Sequence, residues 1–196
     1  MPEQPAPTSR RLQALRPDQL DDEQRDVYEA ITGGPRACGP RYFPLTDEEG
    51  RLHGPFDAML RSARVGRALQ DLGSALRYST DMPARLREIV ILAVASEEDS
   101  AFERYAHEAV GRGIGLTEEE LEAIRHGREL PSGDPAEAVA LRATRRLLRE
   151  GDLDDESYAA VSAALGERQV FELTTLVGYY RLLATQLRVF RVPVPE

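Results

Sequence analysis

Residues 82–121 read MPARLREIVILAVASEEDSAFERYAHEAVGRGIGLTEEEL. Leu86, Ile89, Val90, Ala93 and Val94 recur at helical spacing, and Ile91 with Leu92 widens the apolar stripe until it nearly encircles the helix. A helix that is greasy on all sides belongs in the middle of a core. Pro83 suits its first turn. Glu88 lies inside this segment, and a carboxylate there must be paired or protonated, because an isolated buried charge is too costly. Ser100 and Glu103 then spell an S-x-x-E capping box that opens the next helix, which runs to about Gly113. Glu103 and His107 stand one turn apart on it. Thr117 and Glu120 spell a second capping box, and that helix stops at Gly127. The loop Ser96–Asp99 is short enough to fold the second helix back against the first. Glu88 and His107 are therefore expected within hydrogen-bond reach, directly or through one water. A histidine held by a carboxylate is the equipment of proton transfer.

Working outward, the other segments are helical too. Residues 1–16 are polar and rich in proline and read as a mobile arm. Leu20, Val27 and Ile31 predict a helix over about Asp18–Thr32. Residues 33–54 carry many Gly and Pro and form a long loop, of the kind that is functional or lies across a neighbouring surface. Pro55 starts a short helix to Leu60. In Arg64–Tyr78 the i, i+3, i+4, i+7 pattern of Val65, Ala68, Leu69, Leu72, Ala75 and Leu76 predicts an amphipathic helix with that face inward. Pro135–Glu150, Asp155–Leu165 and Glu167–Val189 follow as helices, and Pro193 and Pro195 lie in an extended tail. No segment alternates with period two, and no repeat suggests a solenoid. The fold class is all-α. Residues 1–54 form an N-terminal helical arm and loop packing on the domain, and residues 55–196 form one compact multi-helix unit.

Composition narrows the chemistry. With 196 residues, 41% of them apolar, the chain is one domain or one domain with a long arm, large enough to bury a real core. Its formal charge of −9 argues against nucleic acid, which calls for a basic face, and against an anionic membrane. The longest apolar run, Ile89–Ala95, is seven residues, far short of a membrane span, and MPEQPAPTSRR has no apolar signal core. A cytoplasmic protein is expected. All 25 basic residues are arginine. Without lysine, Schiff-base catalysis, a covalently held pyridoxal and a P-loop are excluded. The arginine bias hints at a GC-rich, bacterial genome. One cysteine, Cys38, leaves no CxxC pair or multi-cysteine zinc site. His53, His107 and His126 form no metal motif. Neither a metal nor a cofactor is expected.

The middle of the chain resembles the carboxymuconolactone decarboxylase family, which shares its helical fold with alkylhydroperoxidase D-type proteins. RLREIVILAVA followed by FERYAHEAVGRGIGLTEEELEAI carries the resemblance. In the family an Arg-Glu pair on an apolar helix precedes an acid or cysteine four residues before a histidine, then a G-hydrophobic-T/S-x-x-E run. Here these are Arg87-Glu88, Glu103, His107 and Gly115-Leu116-Thr117-x-x-Glu120. The C-terminal ELTTLVGYYRLLATQLRVFRVPVP also looks like this group. The peroxidase branch has a C-x-x-C-x-x-x-H motif, whose cysteine positions hold Ser100 and Glu103 here. The decarboxylase branch has an aromatic pair about the acid, where this chain has Phe102 and Arg104.

The resemblance implies a cofactor-independent lyase or isomerase acting on a small carboxylated or lactone-bearing ring. His107 would shuttle the proton, Glu88 would orient it and Glu103 would share the acid role. Arg85 and Arg104 are candidates to clamp a substrate carboxylate, and His53 to line a pocket. Each residue also has a structural reading: Glu103 as a capping partner, His107 as a satisfied core histidine, Glu88 in an ion pair, Arg85 and Arg104 as solvated charges. Tyr179 and Tyr180 read as core, and Cys38 as an incidental loop thiol. A thiol peroxidase is the disfavoured alternative, and a silent helical oligomer that binds a small molecule is another. By resemblance a homo-oligomer is expected, a trimer or a hexamer.

Overall fold

The computed structural model describes residues 10–38, 40, 42–131 and 133–195. Within them the chain forms eight helices: α1 (Asp22–Thr32), α2 (Pro55–Met59), α3 (Ala63–Tyr78), α4 (Ala84–Glu97), α5 (Ala101–Gly113), α6 (Glu118–Arg125), α7 (Pro135–Glu150) and α8 (Asp155–Phe190). Among the described residues the only β contact is an isolated antiparallel bridge, Thr46 to Leu52. The all-α reading holds. No described helix is long and apolar enough to cross a membrane.

Helix α4 is the axis of the molecule. Leu86 and every residue from Glu88 to Ala95 are buried, and α5, α6, α7 and α8 all pack against it. A helix surrounded this way needs apolar residues on every side, which is what IVILAVA provides. Gly166 breaks α8 with φ 78° and ψ 157°, so its two arms correspond to the two helices expected there. Val27 and Ile31 of α1 join the same apolar cluster as α2, α4 and α8.

Three expectations are corrected. First, α1 does not begin at Asp18. Asp21 accepts from Gln24 N at 2.8 Å and Gln24 Oε1 accepts from Asp21 N at 3.0 Å, so this reciprocal cap starts the helix at Asp22, after a short 3-10 turn at Pro17–Gln19. Second, residues 10–16 are docked. Asp57, fully buried, accepts from Arg10 at 2.6 Å and from Leu15 N at 2.9 Å, and Arg11 N donates to Phe190 O. Residues 1–9 lie outside the described ones.

Third, α3 turns much of its apolar stripe outward, although Leu76 is buried in the core and Leu69 packs against it. Val65 is 59% and Leu72 39% exposed, whereas Gly66, Gln70, Gly73 and Leu76 are buried. Close approach dictates this. A methyl at Gly66 would strike the backbone of Met59, and one at Gly73 would overlap the Tyr179 hydroxyl. The inward face of α3 is built from missing side chains, which a count of apolar residues does not register.

Candidate active site

Asp99 takes a left-handed conformation at φ 48°, which Asp tolerates better than most side chains, and Ser100 N donates to Ala95 O at 2.8 Å. This tight reversal lays α5 back along α4. Glu88 and His107, nineteen positions apart, meet with Glu88 Oε2 2.6 Å from His107 Nδ1. The expected contact is present. On its other side, His107 Nε2 lies 3.3 Å from Glu103 Oε2. With a carboxylate facing each ring nitrogen, and carboxylates only accepting when ionised, the surroundings favour the imidazolium form of His107.

Burial opposes that charge, but the Glu88 charge and the hydrogen bonds to Glu103 and Glu88 overcome burial and the Arg77 charge, and hold the His107 pKa above its ordinary 6.5. Burial likewise pushes Glu88 up, and is outweighed by His107, Arg77 and Arg87, which hold its carboxyl below the usual range. Arg77 of α3 donates to Glu88 Oε1 at 3.2 Å and to the Tyr180 hydroxyl at 3.4 Å. It also comes within 3.5 Å of His107 Nδ1. With that nitrogen committed to Glu88, the approach of Arg77 sets two donors side by side and is not a bond. The Tyr180 ring stands edge-on to His107 at 5.1 Å, and burial raises its phenol well above the ordinary range.

The expected capping box at Ser100 does not form. Ser100 makes no side-chain cap bond, and its buried hydroxyl has no partner among the described residues. Glu103, 3% exposed, turns away from the helix start toward His107 instead, and its second oxygen, Oε1, is buried without a partner. An orphaned buried carboxylate oxygen calls for an explanation. The second box does form: Thr117 Oγ1 accepts from Glu120 N, and Glu120 Oε2 accepts from Thr117 N.

Glu103 and His107 line a cavity of about 610 Å³, a size that suits a small molecule. Phe56, Phe102, Tyr179 and Tyr180 make aromatic walls, and Arg36 and Arg77 add cationic ones. The loop after α1 lies across this cavity through Pro40, Tyr42, Phe43 and Leu45, with Phe43 edge-on to Phe102 at 6.4 Å.

Arg85, Arg104 and His53 lie outside the cavity lining. Arg85, one turn before Glu88, faces α6 and α7, where it binds Glu120 at 2.6 Å, Glu137 at 3.0 Å and Gly115 O at 2.8 Å. Arg104 turns outward and pairs with Asp99 at 2.9 Å. His53 donates its backbone N–H to Leu45 O, and burial holds its imidazole below the ordinary value. Arg36 and Arg77 are cavity residues that the sequence reading missed, and Tyr179 and Tyr180 are ones that it placed in the core. Their signal is weak: Gly66, Gln70, Gly73 and Arg77 share one face of α3, but nothing in that set is apolar. Cys38 is exposed. Among the described residues no group of three His, Cys, Asp or Glu side chains is placed to hold a metal ion.

Residues 63–146 match the carboxymuconolactone decarboxylase family. No curated protein matches the chain. Several solved structures share its fold. An uncharacterized peroxidase-related protein from Silicibacter sp. TM1040 superposes with a TM-score of 0.74 over 97% of this chain and 94% of its own, at 14% identity. An uncharacterized peroxidase-related protein from Ralstonia eutropha JMP134, described as an alkylhydroperoxidase AhpD core, gives 0.75 over 95% and 93%, at 11% identity. The debrominase Bmp8 in complex with 2,3,4-tribromopyrrole gives 0.71 over 98% and 94%, at 13% identity. At these identities the likeness is one of fold. The chain is thus similar to the carboxymuconolactone decarboxylase family over residues 63–146, and its helical fold is similar to that of the AhpD-like structures.

Proposed function

We propose that the protein is a cofactor-independent lyase or isomerase that moves a proton on a small carboxylated or lactone-bearing substrate. One observation carries the reading: Glu103 Oε1 is buried, has no partner among the described residues and belongs to a side chain that lines the cavity, while Oε2 of the same carboxylate faces the His107–Glu88 pair. A small rotation of the Glu103 side chain brings Oε1 to the cavity surface, where it meets the substrate. His107 stands behind Glu103 as the charged partner, and Glu88 positions the ring. In an isomerisation Glu103 Oε1 takes a proton from an acidic C–H and returns it to a neighbouring carbon. In a decarboxylation the C–C bond breaks, CO2 leaves, and the electron pair is delocalised into the substrate's own carbonyl. The proton that His107 Nε2 holds then passes by way of the Glu103 carboxylate to that carbon, and His107 is reprotonated from water. A His pKa held above 6.5 keeps that proton in place near neutrality.

The aromatic walls and the volume favour a small ring. A small ring, tribromopyrrole, is also what the debrominase binds on the same fold. A thiol peroxidase would have one exposed cysteine to work with. We further propose a homo-oligomer, trimeric or hexameric as the resemblance implies, in the cytoplasm and without nucleic-acid or membrane partners. Two exposed apolar faces support association: Val65 and Leu72 on α3, and Phe171, Leu182 and Val189 on α8. Light scattering that finds a monomer at micromolar concentration counts against it.

The test of the chemistry is a panel of carboxylated γ-lactones and β-keto acids, followed by proton NMR and CO2 release. Turnover of one of them, reduced ~10²-fold or more in His107→Gln, is expected. Native protein that turns over none of the panel, or a variant as active as the native, defeats the proposal in favour of a silent binding protein.

A further inference from the structure

We infer that Arg36 and Tyr179 form an anion subsite that seats the carboxylate of a small cyclic monocarboxylic acid. This deepens the proton-transfer reading and rests on its identification of the cavity as the substrate site.

The first observation is an arginine without an acid. Most of the chain's arginines are paired with carboxylates, yet among the described residues Arg36 has no acidic partner and lines the cavity. It is held in place all the same. Its Nη1 donates to Gln70 Oε1, and its guanidinium lies 5.2 Å above the Phe56 ring. Gln70 is 3% exposed and donates its own amide to Ala30 O at 3.4 Å, which fixes Oε1 toward the arginine. A planar fork held over an aromatic ring, with donors left over, is suited to a carboxylate.

The second observation is independent of the first. Tyr179 is 5% exposed and lines the same cavity, and no hydrogen bond among the described residues engages its hydroxyl. Burial pushes its phenol up to about 12, so the group remains a neutral donor. The third is the gap that admits both groups. A methyl at Gly73 would overlap the Tyr179 hydroxyl and crowd Arg36 Nη2 at 2.9 Å. A glycine within a helix is destabilising relative to alanine, and here it keeps open the notch where the two donors converge. From this notch the Tyr179 ring stands 5.4 Å from Tyr180, and Tyr180 stands 5.1 Å from His107. A ring seated by its carboxylate at Arg36 thus lies along the wall that leads to Glu103 and His107.

The experiment is calorimetric titration of the full-length protein with benzoate and with its uncharged counterpart benzamide. Native protein should favour benzoate by ~10-fold or more, the scale of a charge-assisted hydrogen-bond pair. Arg36→Gln should erase the preference, Arg36→Lys should keep part of it, and Tyr179→Phe should weaken benzoate by several-fold. Gly73→Ala should also lose the preference, which keeps the test decisive if Arg36→Gln fails to fold. No preference in the native protein, or a preference undiminished in folded Arg36→Gln or Gly73→Ala, overturns the subsite. Preference without any proton transfer would defeat the proposed reaction and leave the subsite standing. Proton transfer without preference would do the reverse.

Discussion

Two charged clusters hang from the same helix and end differently. Arg85 and Glu88 stand one turn apart on α4. Arg85 points to α6 and α7, where Glu120, Glu137 and Gly115 O close around its guanidinium and Glu120 doubles as the cap of α6. Nothing is left over. Glu88 points to α3 and α5, and its network runs through Arg77 and His107 to Glu103, where it stops at an oxygen with no partner beside a cavity. Both clusters pair arginine with glutamate, the second adds a histidine, and the sequence spacing is a single turn. A closed network stabilises the fold, and an open one keeps a group available for a ligand. What packs opposite decides which of the two a charged residue on α4 joins.

The largest effect should come from breaking the open cluster. His107→Gln is expected to reduce turnover by ~10²-fold or more with the helical circular dichroism unchanged. Glu88→Gln should reduce it less and also lower the melting temperature, because Arg77 then loses its buried counter-charge. Breaking the closed cluster should do the opposite. Arg85→Met strands two mostly buried carboxylates and is expected to destabilise the protein by about 2 kcal/mol, short of a fully buried pair because the Arg85 side chain is 30% exposed. Turnover by the folded Arg85→Met variant should match the native rate. Urea denaturation alongside turnover separates the two clusters.

The open cluster also has a pH signature. His107 has a raised pKa, so its stabilisation is fully present below 6.5 and is lost as pH rises through the raised value. Glu88 has a lowered one, so its contribution is present above 4.5 and is lost as pH falls through the lowered value. Between 4.5 and 6.5 both contributions are complete. The alkaline decline in the urea midpoint should vanish in His107→Gln and persist in Arg85→Met.

The smallest effects sharpen the comparison at the helix starts. Thr117→Ala should be destabilising by about 1 kcal/mol. Ser100→Ala should stay within about 0.5 kcal/mol, although both sites carry the same S/T-x-x-E pattern. Thermal melts of the two variants give the contrast, and equal shifts would mean that Glu103 caps α5 after all.

Much of this was legible in the residues. The all-apolar run of α4 announced a central helix, Glu88 within it demanded a partner, and the short Ser96–Asp99 loop named His107. The limits are equally specific. Whether an S-x-x-E pattern caps a helix depends on whether something better competes for the acid, and at Glu103 a histidine one turn along does. The inward face of α3 is set by how closely Met59 and Tyr179 approach its backbone, so Val65 and Leu72 mark the outside. Arg36 and Arg77 reach the cavity from helices and loops far away in sequence, and no local pattern distinguishes them from the many arginines at the surface.

The most direct test of the open cluster as a proton-transfer site is hydrogen exchange in D2O, followed by proton NMR, at the acidic C–H of a carboxylated γ-lactone. Native protein should replace that hydrogen with deuterium, and Glu103→Gln, folded and with Glu88 and His107 untouched, should slow the exchange ~10²-fold or more. Exchange at the native rate in Glu103→Gln would contradict the assignment, because the unpartnered oxygen would then have no part in the chemistry.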